Sequence, residues 1–365
     1  MAQISHKVFV VGTRAQLIKM APVIVVCERR GLPITLLMTG QHQETMQDIV
    51  DEFGLRSPQV PVMSISERST VGSLLRWFPT ALSAMTARVR ALVEKHGSID
   101  VLVHGDTLST LVGAWAGRRG GARVVHLESG LTSGRWHDPF PEEVCRRIVF
   151  RLTDVAMCPN SLATDHMRHF SKVRVIDTGG NTIIDAVLLS GASPAYRDPT
   201  KPYLVVSLHR FQNLFRTSRL QALIDLVERL AQHYPIHFVL HPATRKRLEA
   251  VGLDAPLKAA PKVHLSPRLG YGAFLRLAAG AECVLTDGGS NQEELAVLGV
   301  PTLIMRERTE RPDGLLENAV MEADVPNGIF EFLVGRGFEA LRRAAKLPVD
   351  LGPSVRIADA LITSS

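Results

Sequence analysis

Aromatic residues, long apolar runs and clustered charges are scarce in this chain of 365 residues. Phe, Trp and Tyr make up 5% of it, and its lysines and arginines are scattered, so the net charge of +6 does not form the basic, aromatic-lined surface typical of nucleic-acid binding. No apolar run reaches the length that a membrane-spanning helix needs, and the opening segment MAQISHK has no cleavable signal pattern. We therefore expect a soluble, cytoplasmic protein with no nucleic-acid or membrane partner.

Cysteine is also rare, with four residues that lie far apart in the sequence: Cys27, Cys145, Cys158 and Cys283. Their spacing matches neither a zinc site nor a disulfide framework, which fits a reducing compartment. The sequence also lacks a set of Asp and His residues suited to a divalent cation. We expect no metal and no cofactor, and we interpret the basic charge as complementing a small anionic substrate.

What the sequence does have is a regular alternation of short apolar runs with helical patterns. Apolar runs typical of buried strands lie at 7–11, 34–38, 101–103 and 124–127. The alternation of strand and helix patterns begins again at 203–207, after the loop-like GASPAYRDPTKP. Such alternation predicts parallel sheets covered by helices on both faces. The sequence therefore predicts an α/β protein with two Rossmann-like, doubly wound domains, 1–185 and 186–353, facing a central cleft. The last helix, within 354–365, is expected to pack back onto the first domain.

The stretch from 282 to 313 carries the clearest functional pattern. An apolar run ends in DGGSN and resumes as the helical QEELAVL. Two glycines let the backbone approach a ligand closely, and the free N–H groups of a helix start favour an anion such as phosphate. Glu293 and Glu294 either stabilise the helix start or accept hydrogen bonds from a sugar hydroxyl.

Similar turns in the first half place charged side chains at strand ends. Arg14 follows the first strand and Lys19 lies one to two helical turns later, so both either reach a diphosphate or line a solvated helix face. Asp106 and Glu128 each follow a predicted strand. Because the carboxyl ends of parallel strands share one edge of the sheet, we expect these two carboxylates on the same rim.

Eight ordered motifs in this chain resemble those of the UDP-N-acetylglucosamine 2-epimerases, a family with the two-Rossmann-domain architecture called GT-B. They are GTRAQLIKMAPVI, TGQHQETM, HGDTLSTLVGA, HLESGLTSGRWHDPFPEEVCRR, TGGNTIIDAV, SLHRFQNL, TDGGSNQEE and ERTERPD. The resemblance implies inversion at C2 of UDP-GlcNAc to give UDP-ManNAc. The implied route is elimination of UDP to a 2-acetamidoglucal, followed by re-addition of UDP.

The resemblance also implies roles for individual residues. The family's acid and base carboxylates correspond to Asp106, Glu128 and Glu142, and its catalytic histidine corresponds to His209 beside the departing UDP. The implied substrate contacts are Arg14, Lys19 and Arg146 at the diphosphate, Phe274 at uracil, the amides of Gly289 and Ser290 at the phosphates, Glu294 at the ribose, and Arg311. Gln41 and Gln43 correspond to residues that hold a second, activating UDP-GlcNAc in some family members.

The chain departs from the family pattern at several positions. Gln16 replaces a glutamate, Thr132 an arginine and Cys145 an asparagine, and Gly288 stands where a serine contacts a phosphate. None of these changes removes a proposed acid or base. Three alternatives stay open at this stage: a hydrolysing epimerase that releases ManNAc, a GT-B glycosyltransferase, and a nucleotide-sugar sensor without turnover. We expect a homodimer that supplies sugars for surface polysaccharide.

Overall fold

The computed structural model describes residues 5–40, 46–63, 71–135, 140–309 and 313–363, with the side chains of 71–76 excepted. The chain divides into two compact units. Unit 1 consists of Met1–Ala186 together with Pro348–Ser365, and unit 2 is Val187–Leu347. Unit 2 is therefore an insertion in the sequence of unit 1.

Within the described residues, unit 1 contains a seven-stranded parallel sheet with the order β3-β2-β1-β4-β5-β6-β7. Its strands are β1 (His6–Val11), β2 (Ile34–Met38), β3 (Gln59–Pro61), β4 (Ile99–His104), β5 (Arg123–Leu127), β6 (Val155–Cys158) and β7 (Arg174–Asp177). The connecting helices are α1 (Arg14–Arg29), α2 (Gln47–Phe53), α3 (Val71–His96), α4 (Leu108–Gly120), α5 (Glu142–Leu152), α6 (Ser161–Arg168) and α7 (Ile183–Leu189). The inner strands are buried on both faces, which explains why they are continuously apolar.

Unit 2 repeats the arrangement with a six-stranded parallel sheet among the described residues, in the order β10-β9-β8-β11-β12-β13. Its strands are β8 (Leu204–Ser207), β9 (Ile236–Leu240), β10 (Val263–Pro267), β11 (Cys283–Thr286), β12 (Thr302–Ile304) and β13 (Ala319–Met321). Its helices are α8 (Phe211–Leu214), α9 (Thr217–Leu230), α10 (Pro242–Val251), α11 (Asp254–Ala259), α12 (Tyr271–Ala279), α13 (Gly289–Leu298) and α14 (Ile329–Val334). The predicted α/β class with two doubly wound parallel sheets is confirmed.

The order of strands reverses at one place in each sheet, between β1 and β4 in unit 1 and between β8 and β11 in unit 2. Chain crossovers leave in opposite directions from such a point, and the gap at the carboxyl ends of the two strands is where open α/β sheets bind ligands. Asp106 and His209 lie in the turns after β4 and β8, and Arg14 is the first residue of the helix that follows β1. The topology therefore places the candidate residues at the two switch points.

The last helix, α15 (Pro353–Thr363), belongs to unit 1 and is held by buried charges at both ends. At its start, the buried Asp185 carboxylate accepts a hydrogen bond of 2.7 Å from the Ser354 N–H. At its end, the fully buried Lys7 donates to the Leu361 carbonyl at 2.9 Å and to Asp100 at 2.7 Å. A carboxylate at the N-terminus and an ammonium at the C-terminus both complement the helix dipole.

Some elements differ from the sequence-based expectation. Helix α7 continues through Leu189, so the predicted domain boundary after residue 185 falls within this helix. The short strands β3, β6 and β13 and the helix α6 carry too few residues for a clear period, so the pattern did not predict them. In the part of the chain that the structure describes, every helix is too short or too polar to cross a membrane.

Candidate active site

Asp106 lies in the turn between β4 and α4 and pairs with Arg146 of α5. The Arg146 guanidinium also donates to the buried carboxylate of Glu143 at 2.8 Å. Burial favours the neutral form of Glu143, but the hydrogen bonds from Thr132 and Ser133 and the charge of Arg146 outweigh it and lower the pKa of this carboxyl. Glu143 is therefore an anion that fixes Arg146 beside Asp106.

Glu128 follows β5, the strand next to β4, and has the unusual positive φ of 59°. A residue other than glycine rarely adopts this conformation, which is a form of strain often found at functional sites. Its Oε1 accepts from Lys19 at 2.9 Å and from Asn181 at 2.8 Å, and its Oε2 lies 3.3 Å from His104 Nε2. The carboxylate is thereby held rigidly by groups from three other segments.

The third predicted carboxylate, Glu142, is the first residue of α5. Its Oε2 is shielded from solvent and has no hydrogen-bond partner within the described ranges. The neighbouring Cys145 thiol has its pKa raised to about 12, first by burial and then by the carboxylates of Asp106 and Glu142. The thiol therefore stays neutral near physiological pH. Glu142 has one carboxylate oxygen without a hydrogen-bond partner among the described residues, so this oxygen is available to accept a proton.

Gln16 ties together the two turns on either side of the unit 1 switch point. Its Oε1 accepts from the backbone N–H groups of Gly12 and Thr13 at 3.0 and 3.1 Å. Its Nε2 donates to the His104 carbonyl at 2.8 Å and to the Thr110 hydroxyl at 2.9 Å. An amide is needed here because one end must accept and the other must donate.

Replacing Gln16 by Glu should therefore destabilise unit 1. A carboxylate keeps the acceptor side but has no proton for the His104 carbonyl, so the expected loss in the free energy of unfolding is about 1 to 3 kcal/mol. Urea denaturation followed by tryptophan fluorescence would measure it. Gln59→Glu, at an exposed position of β3, is the matched control. Equal stability of the two variants would contradict the proposed role of the amide.

His209 follows β8 in unit 2 and lies against Asp287, which follows the paired strand β11. The His209 Nδ1 is 3.1 Å from Asp287 Oδ1, and the His209 and Arg210 N–H groups each donate to the same carboxylate at 2.9 Å. Burial opposes ionisation of Asp287, but the hydrogen bond and charge of His209 and the other donors lower its pKa. The predicted histidine thus has a buried, ionised partner.

The turn after Asp287 leads directly into α13, which begins at Gly289. Gly289 and Ser290 lie in its first turn, where backbone N–H groups have no partner inside the helix and favour an anion. Glu294 is buried one turn further on, with 2% of its surface exposed. Phe274 is half-buried on α12, a helix that contacts α13.

Gly288, where the family has a serine, faces two neighbours of this site. A Cβ built there would lie 3.1 Å from Asn291 Nδ2 and 3.2 Å from His209 Cε1. We expect Gly288→Ser to lower activity, because overpacking costs about 1 to 3 kcal/mol and would displace one of these side chains. Turnover should fall at least about fivefold, measured as kcat. Gly288→Ala adds the Cβ without the hydroxyl, so it separates the steric effect of the serine variant from the effect of its hydroxyl. A rise in kcat for the serine variant alone would overturn this expectation.

The remaining predicted residues fall into two groups. Arg14 forms two hydrogen bonds with Asp48, at 2.5 and 2.6 Å, so its guanidinium is held by α2. Gln41, Gln43 and Arg311 lie outside the described residues. Among the side chains that are described, no cluster of three or more His, Cys, Asp or Glu residues could hold a metal ion.

The comparisons with known proteins agree on one family. A model of the UDP-N-acetylglucosamine 2-epimerase family matches residues 26–329. The chain belongs to this epimerase family. The UDP-N-acetylglucosamine 2-epimerase of Bacillus subtilis (strain 168) is 30% identical over 321 residues, covering 84% of this chain and 80% of that protein. That of Salmonella borreze is 29% identical over 345 residues, covering 89% and 88%.

A solved structure of the Methanocaldococcus jannaschii UDP-GlcNAc 2-epimerase in complex with UDP-GlcNAc and UDP is also similar. It has a TM-score of 0.74 and 25% sequence identity, with 99% of this chain and 100% of that chain covered. The family membership predicted from the eight motifs is confirmed, and with it the isomerase class.

Sequence reasoning missed several residues that organise the site. Glu143, Asn181 and Asp287 all hold a predicted functional side chain. Glu143 and Asp287 lie within two of the eight motifs, next to Glu142 and Gly288, but their local sequence does not show that they are buried against an arginine or an imidazole. Asn181 lies within TGGNTIIDAV, where nothing local distinguishes it from a helix cap.

Proposed function

We propose that this protein interconverts UDP-GlcNAc and UDP-ManNAc by eliminating UDP and adding it back. The observation that carries the proposal is the arrangement in unit 1, where Asp106 and Glu128 follow the paired strands β4 and β5. Glu142 begins the helix that sends Arg146 to Asp106. Inversion of C2 needs proton removal on one face and proton delivery on the other, and this set of carboxylates supplies both.

The chemistry follows from the bonds that change. A carboxylate takes the C2 proton, the C–H electron pair becomes the C1=C2 double bond of the glucal, and the C1–O pair leaves with UDP. In the return step a proton reaches the opposite face of C2, and the UDP oxygen bonds to C1 again. Positioned acid–base groups speed such proton transfers by about 100- to 10,000-fold.

Unit 2 is proposed to bind the nucleotide. The start of α13 at Gly289 and Ser290 would receive the phosphates, the buried Glu294 the ribose hydroxyls, and Phe274 the uracil. His209 would donate to the diphosphate as negative charge builds on departing UDP. The relative from Methanocaldococcus jannaschii, which is bound to UDP-GlcNAc and UDP, supports a nucleotide-sugar ligand of this kind.

The cations of unit 1 are proposed to balance the diphosphate. Lys19 is paired with Glu128 and Arg146 with Asp106, so each of these proposed cations lies beside a proposed acid or base. Arg14 is anchored to Asp48 at the same switch point. We further propose Arg311 as a substrate contact and Gln41 and Gln43 as residues for a second, activating UDP-GlcNAc.

The setting of the activity is part of the same proposal. We infer a cytoplasmic homodimer with domains 1–185 and 186–353, because nucleotide sugars for surface polysaccharide are the expected use of UDP-ManNAc in this family. Sedimentation at several protein concentrations would test the dimer. A sedimentation coefficient of a monomer at all of them would exclude it.

Proton NMR of a reaction in D₂O tests the activity itself. Incubation with UDP-GlcNAc should bring deuterium into C2 and produce UDP-ManNAc until the mixture stops changing. Free ManNAc with one equivalent of UDP would mean that water, not UDP, adds to the glucal. Absence of C2 exchange, with sugar transfer only after an acceptor is added, would replace the proposal by a glycosyltransferase.

A further inference from the structure

The Asp287 carboxylate is more heavily engaged than a turn residue requires. It is fully buried and accepts hydrogen bonds from the backbone N–H groups of His209 and Arg210. Asn213 Nδ2 donates to it at 2.9 Å, and the imidazole Nδ1 of His209 lies 3.1 Å from its Oδ1. The aspartate therefore fixes both the backbone and the side chain of His209.

A further set of contacts fixes Asp287 in turn. Asn213 also donates to the Met305 carbonyl at 2.8 Å, and its own oxygen accepts from Arg219 Nε at 3.2 Å. Arg219 is paired with Glu322. The carboxylate that faces His209 is thus held by a chain of polar contacts across unit 2, and rotation of the imidazole would break the end of this chain.

The geometry determines which imidazole nitrogen can meet a ligand. With Nδ1 directed at a buried, ionised carboxylate, Nδ1 carries a proton and Nε2 is directed away from Asp287. Gly288 leaves space along the ring, since a Cβ there would lie 3.2 Å from His209 Cε1. The imidazole is 38% exposed, so Nε2 is the nitrogen left for substrate.

We propose that Asp287 is a positioning residue for the reaction, acting entirely through His209. It holds the imidazole with Nδ1–H on Oδ1 and Nε2–H toward the diphosphate oxygen that receives the C1–O electron pair. When that oxygen becomes negative, the carboxylate balances the positive charge of the ring. This inference rests on the proposed function, because it assigns His209 to departing UDP.

A double-mutant cycle measures whether Asp287 acts through His209. We expect His209→Gln to lower kcat about 100-fold or more, and Asp287→Asn about 10- to 100-fold. The variant with both changes should have the kcat of His209→Gln alone, because the residue through which Asp287 acts is already gone. If Asp287→Asn lowers kcat by the same factor in the His209→Gln background, the inference is wrong.

Glu282→Gln provides the matched control, since Glu282 is a buried carboxylate at the opposite end of β11 and pairs with Arg197 at 3.0 Å. Its effect on kcat should be small and should multiply with that of His209→Gln. Thermal unfolding of each variant shows whether it is fully folded at the temperature at which its kcat is measured.

NMR of ¹⁵N-histidine-labelled protein gives a readout that does not depend on turnover. The resonances missing from His209→Gln should show a proton on Nδ1 of His209 in the unchanged protein, and Asp287→Asn should lower the occupancy of that proton. A neutral His209 protonated only at Nε2 in the unchanged protein would overturn the inference. If Nδ1 of His209 is protonated in the unchanged protein but no deuterium enters C2 of UDP-GlcNAc, the proposed function is wrong while the positioning of His209 by Asp287 still holds.

Discussion

Replacing Asp106 by Asn, or Glu128 by Gln, should lower turnover of UDP-GlcNAc by about 100- to 10,000-fold, while the affinity for UDP stays nearly the same. An amide cannot take the C2 proton, but it is nearly the same size as the acid and still accepts a hydrogen bond from Arg146 or Lys19. The uracil and ribose contacts are proposed to lie in unit 2, and the proposed diphosphate contacts Arg146 and Lys19 are unchanged in both variants. Turnover and C2 exchange would be followed by NMR, and UDP binding by calorimetry.

Asp154→Asn is the matched control for these variants. Asp154 also pairs with an arginine of unit 1, Arg118 at 2.7 Å, but it precedes β6 and so lies at the amino ends of the strands. The Asp154→Asn substitution should lower the free energy of unfolding and leave kcat unchanged. A parallel loss of UDP affinity and turnover in Asp106→Asn and Glu128→Gln would contradict the role of these residues as acid and base.

Replacing Lys7 by Met should reduce the free energy of unfolding of unit 1 by about 3 kcal/mol, since removal of one partner leaves a buried charge without compensation. The lysine is fully buried, and its loss removes donors from Asp100 and from the end of α15. Arg123 still holds Asp100 with hydrogen bonds of 2.6 and 2.9 Å, which keeps the expected effect at the low end of the range for buried pairs. Methionine fills most of the space.

Tryptophan fluorescence suits this measurement, because all three tryptophans of the chain precede unit 2 in the sequence and Trp77 and Trp115 lie in helices of unit 1. The control is Arg168→Met, which removes an exposed arginine of unit 1 that pairs with Asp165 at 2.8 Å. Exposed pairs of this kind contribute little. A denaturation midpoint for Lys7→Met that equals that of Arg168→Met would show that the buried charge does not stabilise the unit.

Prediction from the sequence was most accurate where the hydrophobic pattern of an element and the topology of the parallel sheet give the same answer. The strand at 34–38 has the predicted bounds, because it combines a clear apolar pattern with a distinct start and end. The placement of Asp106 and Glu128 after neighbouring strands needed only the rule that parallel strands end at one edge. No contact had to be known for that step.

The sequence could not predict contacts that join distant segments. Asp287 and His209 are 78 positions apart, and a DGG turn gives no sign that its aspartate will be buried against an imidazole. The role of Gln16 was missed for the same reason, since its amide links residues 88 and 94 positions away. Such partners follow from the completed fold, while local patterns report only the strands and helices that lead to them.

The division of unit 1 into two stretches of sequence has a consequence for synthesis. The first stretch of unit 1 ends at residue 186, whereas α15, which packs against α1 of that stretch, is translated after all of unit 2. At bacterial or eukaryotic speeds that interval is on the order of ten seconds. During this interval Lys7 and Asp185 lack their contacts with α15, and the apolar surface that this helix covers stays exposed. We therefore expect chaperones to act on the nascent amino-terminal half.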